Sequence, residues 1–164
     1  MLKDNYTKRI LNVIYRIEDN FVVLLLSGIL IVSIIQITLR NFFDSGLIWG
    51  DSLLSVLVLW LGLAGSIVAS RQGKHINIDI LSQYLPQKYY VLSKKIGYLF
   101  ASSICILITY YSLEFVVNEY FLNEYAFSSI PVWLTESIIP LAFSVMGIRF
   151  FLISLLYKSG STLK

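Results

Sequence analysis

The run from Ser52 to Ser70 constrains this chain most: nineteen consecutive residues without a charge, bracketed by Asp51 and Arg71. As a helix it rises about 28 Å, close to the ~30 Å hydrocarbon core of a bilayer. The chain then turns basic at Arg71, Lys74 and His75 and becomes amphipathic at once. A span, a charge step and a surface-lying segment in one stretch place the chain in a membrane. Composition agrees, since only 14% of the residues are charged and 57% are hydrophobic, against about 25% charged in an ordinary soluble domain. A chain of 164 residues has too much surface for its volume to hide that deficit in water.

The same reading extends along the chain and predicts an all-α membrane protein, one domain over residues 1–164 with four transmembrane helices. The first nineteen residues are polar, but Ile10, Leu11, Val13, Ile14 and Ile17 fall on one helical face. They predict a short amphipathic helix lying on the membrane ahead of the first span, residues 20–39. A secretory leader is the rival reading; the apolar run is too long for one and no small-residue cleavage site follows. Turn-formers and interfacial aromatics (Phe42, Phe43, Trp49) connect it to the second span, residues 52–70. Gly62, Ala64, Gly65, Ser66 and Ala69 cluster in the later half of that span, where small residues let another helix approach, inside the chain or from a partner. Residues 76–92 predict a second interfacial helix, with a turn at Leu85–Pro86 and Lys88, Lys94 and Lys95 marking re-entry. The third span is expected over 96–116, continuing toward Phe121. The fourth covers 131–157, with Ser129 and Pro131 as a helix start, Pro140 as a kink and Arg149 inside it.

Four spans put both ends on one side. Eleven of the 13 Lys and Arg residues lie in the N-terminal segment, the middle connection and the tail, so the positive-inside rule places both termini in the cytoplasm. The two outer loops carry Asp44, Asp51, Glu114, Glu119, Glu124 and Glu136 against Arg40 alone. That acidic face suits a basic partner surface, or follows from exclusion of Lys and Arg from translocated loops. Nothing in the charge distribution points to nucleic acid.

Candidates for chemistry are few. His75 is the single histidine, which excludes a multi-histidine metal site. His75 and Asp79 share a helical face but have no nucleophile, so no enzyme is expected. Cys105, the lone cysteine, reads as a small buried hydrophobe. Arg149 is the most expensive residue, at about 2.5–3.5 kcal/mol for a mid-span arginine. It either snorkels to headgroups or meets a lipid phosphate or a partner carboxylate. Gln36, Asn118 and Arg149 do not form a polar set at one depth, so a pore is not indicated.

Trp49-Gly-Asp51, then Trp60, Gly62 and Gly65, then Arg71-x-x-Lys74-His75-Ile76-x-Ile78-Asp79 resemble the small membrane subunit of tripartite ATP-independent periplasmic (TRAP) transporters, over essentially the whole chain. One departure is Ser52, where the family often has a second acid. The resemblance implies a scaffold subunit in the bacterial inner membrane, packed against a large membrane subunit that binds sodium and an organic acid of the sialic acid or C4-dicarboxylate type. A periplasmic substrate-binding protein would dock at the outer face. The chain itself would need no cofactor, and its large partner would be a separate chain. Arg149, Arg71, Lys74, His75, Asp79, Trp49, Asp51, Trp60, Gly62 and Gly65 are then the candidates for contact with phospholipid or partner. The alternative is an autonomous small channel or exporter.

Overall fold

The computed structural model describes residues 2–43, 46–71, 87–127 and 130–156. Helix α1 spans Leu2–Phe42, α2 Gly50–Arg71 and α3 Gln87–Leu122. A short hairpin follows, β1 (Tyr125–Phe127) against β2 (Ile130–Pro131), then α4 (Val132–Glu136) and α5 (Ile138–Leu156). Apart from that hairpin the described architecture is all α. Four stretches are long and apolar enough to cross a membrane: Leu11–Phe42, Gly50–Arg71, Val91–Leu122 and Val132–Leu156.

Two expectations change. The surface helix and the first span are not separate, because α1 is one helix of 41 residues, ~60 Å at helical rise. The reason is local and tertiary together. No Gly or Pro precedes Gly28 in this segment, so nothing breaks the backbone ladder. Glu18 and Asp19, at the expected junction, are held by ion pairs to other helices. The fourth span is interrupted at Ser137, one turn ahead of Pro140, rather than bent as one continuous helix. A proline has no N–H for the carbonyl four residues back, here Glu136, and its ring crowds that carbonyl. The last turn of α4 closes locally instead, with Ser137 N donating to Trp133 O at 3.1 Å and Ser137 Oγ to Leu134 O at 2.8 Å. Pro131 stands as the extended residue just before α4, φ −70° and ψ 144°, without a side-chain cap. Of the second interfacial helix, residues 87–92 form the start of α3, while the remainder and the Leu85–Pro86 turn lie outside the described residues.

The four spans form a row. α1 packs on α2, α2 on α5 and α5 on α3, while α1 makes no comparable contact with α3 or α5. The closest pair is α3 and α5, joined by a core of Cys105, Ala142, Met146 and Phe150 with Leu63, Ile67, Tyr98 and Ala101 against it. Gly147 permits this approach, since a Cβ there would sit 3.2 Å from Cys105 Cβ. Ser102 Oγ donates to Gly147 O at 3.0 Å and Ser154 Oγ to Lys95 O at 3.1 Å. Small residues and interhelical hydroxyl bonds are how helices associate where lipid is as apolar as the core.

Candidate functional site

Charged side chains converge at the end of the row where α2 finishes. Arg149 on α5 pairs with Glu18 on α1 through Nη2 and Oε1. Its Nη1 donates to Ile67 O at 2.6 Å and Ser70 Oγ at 3.2 Å, both on α2. Arg71, the last residue of α2, pairs with Asp19 and lies 3.6 Å from Glu18 Oε2. Arg71 also donates to Tyr15 O at 3.0 Å and stacks over the Tyr15 ring at 5.0 Å, and Arg149 sits 5.9 Å from the same ring. Two cations and two anions thus bind three helices, and α1 reaches α5 across α2 by this route. Glu18, Arg71 and Arg149 are largely buried, whereas half of the Asp19 side chain is exposed. Neutralisation, backbone acceptors and an aromatic face together offset the several kcal/mol per ion that burial costs.

Arg149 therefore meets a carboxylate of its own chain rather than a lipid phosphate. Arg71 is engaged in the same cluster. Glu18 and Asp19 do not stand out in the sequence as site residues. The available signal was topological: they are the acids immediately before the first span, on the side where Arg71 and Arg149 must emerge. Lys74, His75 and Asp79 lie outside the described residues.

At the opposite end, Asp51 accepts a 2.9 Å bond at Oδ1 from Gln36 Nε2, which joins α1 to the first turn of α2. Gln36 is 8% exposed. Gly50 makes room for it: a Cβ at Gly50 would stand 2.0 Å from Gln36 Oε1. Trp60 Nε1 donates to Thr135 O at 2.8 Å and its ring lies 6.3 Å from Phe21, so this tryptophan ties α2 to α4 and touches α1. Trp49 is 43% exposed. Gly62 and Gly65 face open space, and a Cβ on either would meet nothing within 4 Å. They do not serve packing among the described residues, where Ala64 and Ser70 are the buried small side chains of α2. Glu119 and Glu136 each keep one buried carboxylate oxygen without a hydrogen bond.

Two cavities accompany these contacts. One, of about 450 Å³, lies at the Asp51 end and is lined by Gln36, Arg40, Gly46, Leu47, Ile48 and Asp51. The other, about 340 Å³, is an apolar groove between α3 and α5 that includes Ile106, Gly147 and Phe151. No group of three or more His, Cys, Asp or Glu able to hold a metal occurs among the described residues. The geometry as a whole fastens helices to one another.

A family described as tripartite ATP-independent periplasmic transporters, DctQ component, matches residues 29–158. Three curated relatives are similar in part. The sialic acid TRAP transporter permease protein SiaT of Haemophilus influenzae is 39% identical over 61 residues, 37% of this chain and 9% of that protein. The sialic acid TRAP transporter small permease protein SiaQ of Vibrio cholerae is 29% identical over 106 residues, 63% of this chain and 61% of that protein. The C4-dicarboxylate TRAP transporter small permease protein DctQ of Rhodobacter capsulatus is 30% identical over 118 residues, 69% of this chain and 49% of that protein. The matched region thus spans less than two thirds of each relative's length. All three are transporter permeases and none is an enzyme.

Proposed function

This chain belongs to the DctQ-component family of tripartite ATP-independent periplasmic transporters, and from that premise we propose that it is a fixed brace for a larger, substrate-moving permease chain. The observation that carries the reading is the row of helices. At most 33% of the most apolar stretch of any span is buried within the chain, so both broad faces are left for lipid or another membrane protein. A row encloses no polar path, and its charges at the Arg71 end are spent on tying α1, α2 and α5 together. A stator beside a moving subunit needs such rigidity, together with aromatic anchors at its ends.

The match to a short piece of a much longer permease supports a large permease as the partner, since a segment of this kind occurs there within a larger chain. The substrate is an organic acid of the class named for the relatives, sialic acid or a C4-dicarboxylate. Sodium and substrate sites belong to the large subunit. The Lys and Arg bias puts both termini in the cytoplasm of a bacterial inner membrane. The Asp51 end then faces the periplasm, where a substrate-binding protein docks on acidic residues that lie mostly in helices, Asp51 in α2, Glu114 and Glu119 in α3 and Glu136 in α4, rather than in loops.

Reconstitution tests this directly. Liposomes holding this chain, the large permease chain, or both are given binding protein, substrate and a sodium gradient. Uptake is expected only when both membrane chains are present. Flux through this chain alone would instead establish an autonomous channel or exporter.

A further inference from the structure

The cavity at the Asp51 end combines opposite charges beside the Gln36–Asp51 bond. Arg40, in the last turn of α1, and Asp51, in the first turn of α2, line it together. Neither makes an ion pair with a described residue, unlike Arg71 and Arg149 at the other end. Asp51 is pre-oriented by its 2.9 Å bond from Gln36, which is itself 8% exposed.

Depth selects the occupant. The cavity sits where two membrane-crossing helices end, beside Phe42, Phe43 and Ile48, which are 78%, 69% and 98% exposed. Trp49, next to Ile48 and 43% exposed, marks this end of the span as headgroup level, where tryptophan is enriched. A group that answers one guanidinium and one carboxylate there carries a phosphate and a cation on the same molecule. A primary ammonium has N–H groups to donate to Asp51, whereas a quaternary one has none. We propose that this cavity binds the headgroup of a phosphatidylethanolamine-class lipid, phosphate on Arg40 and ammonium on Asp51. The site requires only that the chain lie in a membrane, so it stands or falls separately from the transporter reading.

The test is native mass spectrometry of the full-length chain offered an equimolar mixture of ethanolamine, choline and glycerol phospholipids with identical acyl chains. The wild type should retain the ethanolamine lipid roughly tenfold over the choline lipid, the effect of one charge-assisted hydrogen bond. Arg40→Gln should lower retention of every phospholipid, and Asp51→Asn should abolish the preference for ethanolamine while choline-lipid retention persists. Circular dichroism checks that both variants fold; the wild-type selectivity needs no variant. Equal retention of the three lipids overturns the proposal. So does a glycerol-lipid preference lost in Arg40→Gln, which marks a simple anion site. An ethanolamine preference unchanged in both variants puts the lipid elsewhere. Soluble phosphoethanolamine binding as tightly as the lipid removes the bilayer as its source.

Discussion

Glu18 is the residue on which the charge cluster turns. It pairs with Arg149 and approaches Arg71, so Glu18→Gln leaves a largely buried guanidinium without its anion. Breaking a buried pair from one side costs about 3–5 kcal/mol. Denaturant unfolding of the purified chain in micelles should show a loss of that order, and the double variant Glu18→Gln/Arg149→Gln should recover much of it; a Glu18→Gln chain as stable as wild type would refute the pairing. Asp19 is half exposed, and Asp19→Asn should cost at most about 1 kcal/mol. Gly50→Ala is milder than its 2.0 Å clash suggests. The atom struck is the flexible end of Gln36, which can swing away at the expense of its bond to Asp51. A loss of about 1 kcal/mol is expected, absent when Gln36 is already alanine. Sequence alone marked Arg149 as costly and Arg71 as the charge that closes the second span, but it could not name their acid, because the partner depends on which helices lie side by side.

At the scale of elements, helix boundaries follow from backbone chemistry and were largely legible. The uncharged run of α2 and its flanking charges gave that span to within two residues at its start and one at its end. The unbroken α1 and the break at Ser137 were less legible. An amphipathic lead-in and an apolar span can share one helix when no residue interrupts the ladder, and composition does not reveal the join. Pro140→Ala supplies the N–H that Glu136 O lacks and should fuse α4 with α5. Hydrogen exchange would report a protected amide at position 140, and Trp60 should lose its alignment with Thr135 O; an unprotected amide at 140 would mean that the break has another cause. Gly147 is the tightest point between α3 and α5. Gly147→Leu should wedge them apart and cost about 1–3 kcal/mol by overpacking, read from unfolding of the isolated chain.

For the whole molecule, the arrangement in a row separates contacts made within the chain from those left for others. Among the described residues Gly62 and Gly65 have open space about them. Gly62→Leu should therefore leave the isolated chain within about 1 kcal/mol of wild type, the size of a helix-propensity change. If that face meets the large permease, the same substitution should sharply reduce co-purification of the two chains. A strong loss of stability in the isolated chain would show that α2 packs otherwise than described. Trp60, by contrast, belongs to the internal set, since its indole is committed to Thr135.

The sequence by itself determined the solvent, the number of spans and their approximate limits, because a run of uncharged residues as long as the hydrocarbon core admits no other placement. The family's residue pattern was readable for the same reason: it lies along one continuous stretch, from Trp49 to Asp79. Only the tertiary structure decided what Arg149 pairs with, why Gly50 is a glycine, that the described residues leave Gly62 and Gly65 uncovered, and that the helices stand in a row. Those facts depend on distances between residues far apart in the chain, such as Glu18 and Arg149, and helical periodicity fixes which side of a helix a residue occupies but not which helix stands beside it.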